Sequence, residues 1–445
     1  MTYEQFQLKV KEEAEKAGVT QYELYYTESE DVSVRAMNGE ISTFSSDKEC
    51  GAGFRCIVNG KMGYSATELF TEEQAAELVQ IAVENAATIE SEDEVFIFSG
   101  SDSYAQVEPK MLEEENLPEL ALSLYNEAVA VDERVQSNSM SSAFQALGKV
   151  QLMNSSGLNL SNTYMMQGAS VMALIKSDGA MYNGHEGQHK PLSELDPAAM
   201  AKKAVEGAIE KIGAEPAATG KYPIVLSTDT MSQFLSAFGP IFSADMAQKG
   251  LSLLAGKEGQ QIASEIVTLV DDPMYEESMM KTPFDAEGVA TATKTVIEKG
   301  VLKTLLHNLK TAKKAGVAST ANASKAGYAS PVAISPYTFY IEKGEATLEE
   351  LFAEAGTGVY ITQLKGLHAG ANAVTGDFSL ECSGFMIRNG KKAEAVTSFT
   401  ASGNFFELLK KIKKVGCDLE FQGPRGYTMI GSPSILVSEL SIAGK

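Results

Sequence analysis

Polar and apolar residues change period several times along the first half of the chain, and each change predicts an element. Phe6, Val10 and Ala14 recur at helical spacing within residues 3–17, and Gly18 closes the run. Period two then takes over: Tyr22, Leu24 and Tyr26 alternate, as do Val32, Val34 and Ala36, with Asn38-Gly39 as a turn. Residues 41–44, 51–58 and 61–65 continue as strands around Asn59-Gly60. Thr71 and Gln74 have capping-box spacing for a helix to about Ala87. The unit is helix, antiparallel strands, helix.

The same order returns. A helix over 117–131 precedes a strand at 149–153, a turn at Asn154-Ser155-Ser156-Gly157, strands through Ile175, and a helix over 197–212. Met37-Asn38 matches Met153-Asn154, Gly51-Ala52 matches Gly168-Ala169, and Gly60-Lys61-Met62 matches Gly179-Ala180-Met181, at offsets of 116, 117 and 119 residues. Such matches predict an internal duplication. Ala214 to Gly220, with Pro216 inside it, reads as a boundary.

After that boundary the pattern predicts a strand at 222–226, a helix over 230–242, and strand-rich sequence including 289–306. Small residues dominate Lys313 to Ser330, which reads as a mobile loop. Helices are expected at 348–355 and 404–414. Between them Gly358, Gly366, Gly370, Gly376, Gly384 and Gly390 punctuate short apolar pieces, and Asn389-Gly390 is a hairpin signal. The expected fold is therefore α+β: duplicated helix–antiparallel sheet–helix units at 1–105 and 106–218, then a β-rich C-terminal domain at 219–445.

Composition narrows the function classes. A net charge of −22 repels polyanions, which argues against nucleic acid as a partner. No run approaches eighteen apolar residues, so no membrane-spanning helix is expected. The polar opening Met1-Thr2-Tyr3-Glu4-Gln5 lacks the pattern of a secretory signal, and four scattered cysteines do not make a disulfide framework. A cytoplasmic location is the expectation.

His185-Glu186-Gly187-Gln188-His189 matches H-E-x-x-H, which on a helix puts two imidazoles on one face to bind zinc. Gly184 and Gly187, with Pro191 just beyond, argue against a helix and for a surface loop. His307 and His368 are far away in sequence, so no third ligand is evident. No nucleophile elbow or P-loop is present. Asp271-Asp272-Pro273 reads as a turn, and Glu113-Glu114-Glu115 as a solvated helix start.

Several longer motifs carry a resemblance. They are G-A-G-F-R-C-I-V-N-G-K-M-G-Y-S-A from Gly51, F-D-A-E-G-V-A-T from Phe284, V-I-E-K-G-V-L from Val296, and G-V-Y-I-T from Gly358. H-A-G-A-N-A-V-T-G-D-F-S from His368, S-G-F-M-I-R-N-G-K from Ser383 and V-G-C-D from Val415 complete the set. Together they resemble the TldD/PmbA family, once labelled modulators of DNA gyrase and regarded as peptidases. The resemblance implies a zinc motif H-E-x-x-x-H on the helix after the strand Ile224-Val225-Leu226, and a Cys ligand near the C-terminus. Here the matching positions fall near Ser236, Ala237 and Ile241, and no cysteine occurs from Phe421 to Ile430; Cys417 precedes that segment. The chain thus resembles the PmbA (TldE) branch, implying a non-catalytic subunit without its own cofactor, paired with a zinc-bearing TldD-like subunit or with itself, and handling extended peptides. Under that resemblance His368, Gly370, Asn372, Gly376 and Asp377 are expected to wall a peptide groove; as turn-formers, Asn372 and Asp377 would instead hold their own backbone. Two rivals stay open: a metallopeptidase using His185, Glu186 and His189, and a peptide-binding or regulatory dimer without proteolysis.

Overall fold

The computed structural model describes residues 1–90, 93–100, 103–112, 116–424 and 426–445. The expected helix start at Glu113–Glu115 therefore lies outside the described residues. Helix α1 (Tyr3–Lys16) precedes strands β1 (Tyr22–Met37), β2 (Glu40–Val58) and β3 (Lys61–Thr67) and helix α2 (Glu72–Thr88). Helix α3 (Leu117–Val131) precedes β4 (Met140–Asn154), β5 (Asn159–Ser177), β6 (Ala180–Gln188) and α4 (Pro197–Ile209). The strands join into one antiparallel sheet ordered β3-β2-β1-β4-β5-β6, so the two units meet through β1 and β4 and leave β3 and β6 at the edges. The first four letters of H-E-x-x-H thus fall on strand β6, where a loop was expected, with His189 just beyond its end: residues 180–188 pair in register with β5.

Alternation puts the even-numbered apolar residues of β1 on one face of the sheet, the face that the helices cover. Tyr22, Leu24, Tyr26 and Phe54 pack there with α1 and α2, while Val34, Ala36, Val171, Ala173 and Ile175 pack with α3 and α4. Each unit seats its closing helix on a glycine of its edge strand. A Cβ on Gly63 would lie 1.8 Å from the Ala82 carbonyl oxygen, and one on Gly184 would lie 1.8 Å from that of Ala204. The two helices are thus seated by the same kind of contact, on the same side of the sheet.

The C-terminal region begins with β7 (Gly220–Leu226), α5 (Thr228–Phe238) and α6 (Ala244–Gln248). Pro240 lies in a 3-10 turn over Gly239–Phe242, so the helix expected to reach 242 stops at Phe238. Strands β8 (Leu269–Asp271), β9 (Lys294–Glu298) and β10 (Val301–Leu302) lead to α7 (Leu309–Ala315), β11 (Ala323–Ser324), β12 (Ala333–Ile334) and β13 (Thr338–Ile341). Helix α8 (Leu348–Ala355), β14 (Gly358–Lys365), α9 (Leu367–Gly370), β15 (Asp377–Arg388) and β16 (Lys391–Asn404) follow. The chain closes with α10 (Phe405–Lys410), β17 (Ile412–Val415), β18 (Glu420–Phe421), β19 (Met429–Ser432) and β20 (Ile435–Ala443). The helix expected over 404–414 ends at Lys410, because Ile412 and Val415 alternate into a strand that pairs with β20.

Two six-stranded sheets, β16-β15-β14-β7-β20-β17 and β10-β9-β8-β13-β19-β18, enclose the largest core. Phe234 and Phe238 of α5 lie in it, Phe238 stacked on Phe405 at 4.5 Å. Asn389 and Gly390 both have positive φ (50° and 71°), as a type I′ hairpin turn requires. No helix among the described residues is long and apolar enough to cross a membrane.

The expected mobile loop at Lys313–Ser330 is mostly built into the fold. It begins in α7, contributes β11, and buries Asn322 and Lys325. Asn322 donates to Asp271 at 2.7 Å and to the Ser335 carbonyl at 3.0 Å. Small side chains here permit close packing, which composition alone could not separate from mobility.

Candidate functional site

A strap of this segment lies across the first unit. A Cβ on Gly53 would lie 1.9 Å from the Tyr328 carbonyl oxygen, and one on Gly51 would meet the Tyr328 ring at 2.4 Å. The G-A-G motif is therefore a docking surface for the strap. Beneath it, side chains of the sheet and of the C-terminal region form a buried charge cluster. Arg55 donates to Glu23 at 2.8 Å and lies 3.5 Å from Glu287; Lys325 lies 3.7 Å from Glu23 and 4.3 Å from the centre of the Tyr25 ring. All four charged residues are buried.

Asp285, alongside, accepts from the backbone N–H groups of Glu287, Val289 and Ala323 at 2.9–3.1 Å. Burial and the charge of Glu287 nevertheless push its carboxyl up to about 8. Burial also raises Glu287, against the pull of Arg55. Burial lowers the Lys325 ammonium to about 8, with Glu23 opposing. For Arg55 the burial penalty is outweighed by Glu23 and Glu287, so the guanidinium stays charged. The adjoining cavity, between Tyr25, Tyr164, Tyr337 and Tyr427, holds only about 30 Å3, which is room for little more than a water. This is a seam between regions.

The open site lies beside the second unit. A cleft of about 1530 Å3 runs between β6, with the segment after it through Pro191, and the segment Leu419–Gly423 containing β18. Both strands are sheet edges, so both offer peptide groups to an added strand. Asp229 and Gln233 of α5 line the cleft, and with Ser232 and Ser236 they also border an adjoining pocket of about 120 Å3. Ser232 is fully buried and its hydroxyl has no hydrogen-bond partner among the described residues.

The predicted site residues take different places. His185 and His189 line the cleft, but in extended chain four residues span about 13 Å, against about 6 Å in a helix. Glu186 points to the helix side of the sheet, 3.5 Å from Lys203, and accepts from Gln188 at 3.0 Å. His189 instead packs beside Phe144 and against Gly423, where a Cβ would lie 2.3 Å from its ring. Among the described residues no three His, Cys, Asp or Glu side chains are grouped to hold a metal. Ser236 borders the small pocket, Ala237 packs against the core and Ile241 is buried in it; Cys417 lines the cleft. Ser, Ala and Ile side chains do not suit zinc, and Cys417, whose thiolate could bind it, belongs to no group of three such ligands among the described residues.

His368, Gly370, Asn372, Gly376 and Asp377 do not line this cleft. Asn372 accepts from the N–H groups of Val374 and Thr375, and Asp377 from Asn404 at 2.9 Å. Gly370 and Gly376 do allow close approach, by the Ser379 carbonyl and the Phe406 ring respectively. His368 is exposed, whereas His307 is buried. Sequence reasoning passed over Glu23, Arg55 and Lys325. The available signal was a charge inside the apolar runs Y-E-L-Y-Y and F-R-C-I-V, which marks a buried pair.

Comparison with known proteins places this architecture. The PmbA/TldA metallopeptidase C-terminal domain matches residues 219–444, domain 1 matches 22–86 and the central domain matches 108–212. The chain belongs to the TldD/PmbA family. A Thermotoga maritima structure described as a modulator of a DNA gyrase is 32% identical, with a TM-score of 0.89 over 99% of this chain and 100% of that one. TldE from Thermococcus kodakarensis shares the fold at a TM-score of 0.89 and 21% identity, over 98% and 99% of the two chains. From Haemophilus influenzae, a metalloprotease PmbA homolog and a metalloprotease TldD homolog are each 25% identical, over 95–97% of this chain and 92–94% of theirs. Overall identity thus does not separate the two branches; the residues of the site must.

Proposed function

We propose that this TldD/PmbA family member is a PmbA/TldE-like, non-catalytic subunit that holds an extended peptide for a zinc-bearing, TldD-like partner. The observation that carries the reading is the face of α5 at the cleft. It presents Asp229, Ser232, Gln233 and Ser236, with no His or Glu anywhere on the helix. A zinc-water mechanism needs imidazole or thiolate ligands and a carboxylate base at that place, so no step through a metal is assigned to this chain. What the cleft does offer is two sheet edges facing one space, which suits β-augmentation by a peptide of little sequence demand.

Elemental analysis of the protein, purified alone and after co-expression with a TldD-like partner, tests this. The expected result is background zinc alone, and zinc with peptidase activity in the complex. About one zinc per chain in the isolated protein would overturn the non-catalytic reading. Absence of metal and of activity from the co-purified complex would leave a peptide-binding dimer in its place.

A further inference from the structure

One corner of the cleft is aromatic. Tyr275, Tyr340 and Phe421 all line it, and their ring centres lie 5.4 Å (Tyr275 to Tyr340), 4.9 Å (Tyr275 to Phe421) and 5.6 Å (Tyr340 to Phe421) apart. The ring planes are inclined by 51–70°, so no two rings stack in parallel. Each residue is half-buried. Three rings held this way normally serve a core, but these border open space, Phe421 on the edge strand β18 and Tyr340 on β13.

Their surroundings are acidic. Glu277, Glu342 and Glu420 line the same cleft. After burial, the charges of Glu277, Asp272 and Glu276 raise the Tyr275 phenol, and those of Asp272 and Glu342 act on Tyr340. Asp272 is occupied by Thr293 and the Met274 N–H, and Glu420 by Thr228. Glu277 and Glu342 form no ion pair among the described residues. Lys190, Lys203 and Lys343 also line the cleft; Lys203 is paired with Glu186 of the second unit, and Lys343 follows Glu342 directly in the chain.

We propose that this corner is a subsite for an organic cation: the ammonium or guanidinium of a Lys or Arg side chain in an extended peptide. The faces of electron-rich rings attract cations, and the unpaired carboxylates add a field of the same sense. A neutral apolar side chain would cover the rings but leave Glu277 and Glu342 facing it without a counter-charge. The proposal rests on the cleft being the peptide groove. It goes further by assigning a charge preference to one position.

The test is fluorescence anisotropy with the purified full chain and labelled decapeptides of Ser, Thr and Val, acetylated and amidated at their ends, with one central Lys or norleucine. The Lys peptide should bind about fivefold to thirtyfold more tightly. Tyr275→Leu and Tyr340→Leu should each bring the ratio of Lys-peptide to norleucine-peptide affinity to within about twofold of one, and Tyr340→Phe should retain the preference. Equal binding of Lys and norleucine peptides would overturn the inference and leave the peptide-groove reading standing. Binding of neither peptide would overturn both. A gain confined to a norleucine peptide with a free amino terminus would overturn the side-chain assignment.

Discussion

The first and second units of the N-terminal sheet share strand order and helix packing, yet they meet the C-terminal region differently. Gly63 and Gly184 seat their closing helices in the same way, which makes Tyr64 and His185 equivalent neighbours. Tyr64 borders a pocket shared with Lys325 and Tyr328 of the strap, whereas His185 borders the open cleft. One copy of the fold has been closed by a strap and a buried charge cluster. The other keeps its edge free. A duplicated scaffold can divide its labour this way, because the helix-facing side of each sheet half carries the stability and the opposite side is left to diverge.

The largest difference should appear on removing a charge from each side. Arg55→Met leaves Glu287 buried without its cation and Glu23 with only Lys325, and should cost about 3–5 kcal/mol in urea unfolding. Glu186→Gln breaks only the exposed pair with Lys203 in the second unit, and should change stability by less than about 0.5 kcal/mol. Equal effects at the two sites would remove the distinction between seam and cleft.

A smaller effect should follow from lifting the strap. Gly53→Ala places a Cβ against the Tyr328 carbonyl, which must move. Overpacking of this kind costs about 1–3 kcal/mol, and trypsin should then cut faster at Lys313, Lys314 or Lys325. Unchanged cleavage rates with an unchanged melting temperature would show that the strap is not held by that contact.

The pH dependence of the seam comes next. Asp285 is raised to about 8, so its proton stabilises the folded form fully below the ordinary carboxylate range, and that contribution is lost as pH rises through 8. Lys325 is lowered to about 8, so its contribution is present above the ordinary lysine range and is lost as pH falls back through 8. The two windows meet, and the seam should be weakest near pH 8. Unfolding free energy should therefore fall between pH 7 and 8 by at most about 1.4 kcal/mol per proton, and Asp285→Asn should flatten that branch. A slope unaltered in the variant would show that other groups set it.

How much of this was legible depends on which physics wrote it. Period-two alternation placed Tyr22, Leu24 and Tyr26 on the helix side of β1, because burial on one face imposes that pattern directly. Asn389-Gly390 announced its turn through backbone sterics. The candidate site was less legible, since the cleft exists only where β6 and β18, some 230 residues apart in the chain, come together. Local composition misled at Lys313–Ser330, where small residues serve close packing. The glycine-rich segment around Asn372 showed a real tight turn, but its polar groups are spent on its own backbone.

The smallest expected effect is also the sharpest test of the open side. H-E-x-x-H predicts zinc only if its two imidazoles converge, and on β6 they do not. His185 lies within the strand, while His189 beyond it packs against Gly423. His185→Ala should therefore leave zinc at background in the isolated chain and shift stability by no more than about 0.5 kcal/mol. His189→Ala should be felt more, because it also removes a ring lying between Phe144 and the C-terminal region. Stoichiometric zinc that disappears in His185→Ala would show that the strand rearranges to bind metal. The second unit would then be the catalytic side of the molecule, and the division between closed seam and open cleft would become one between scaffold and active site.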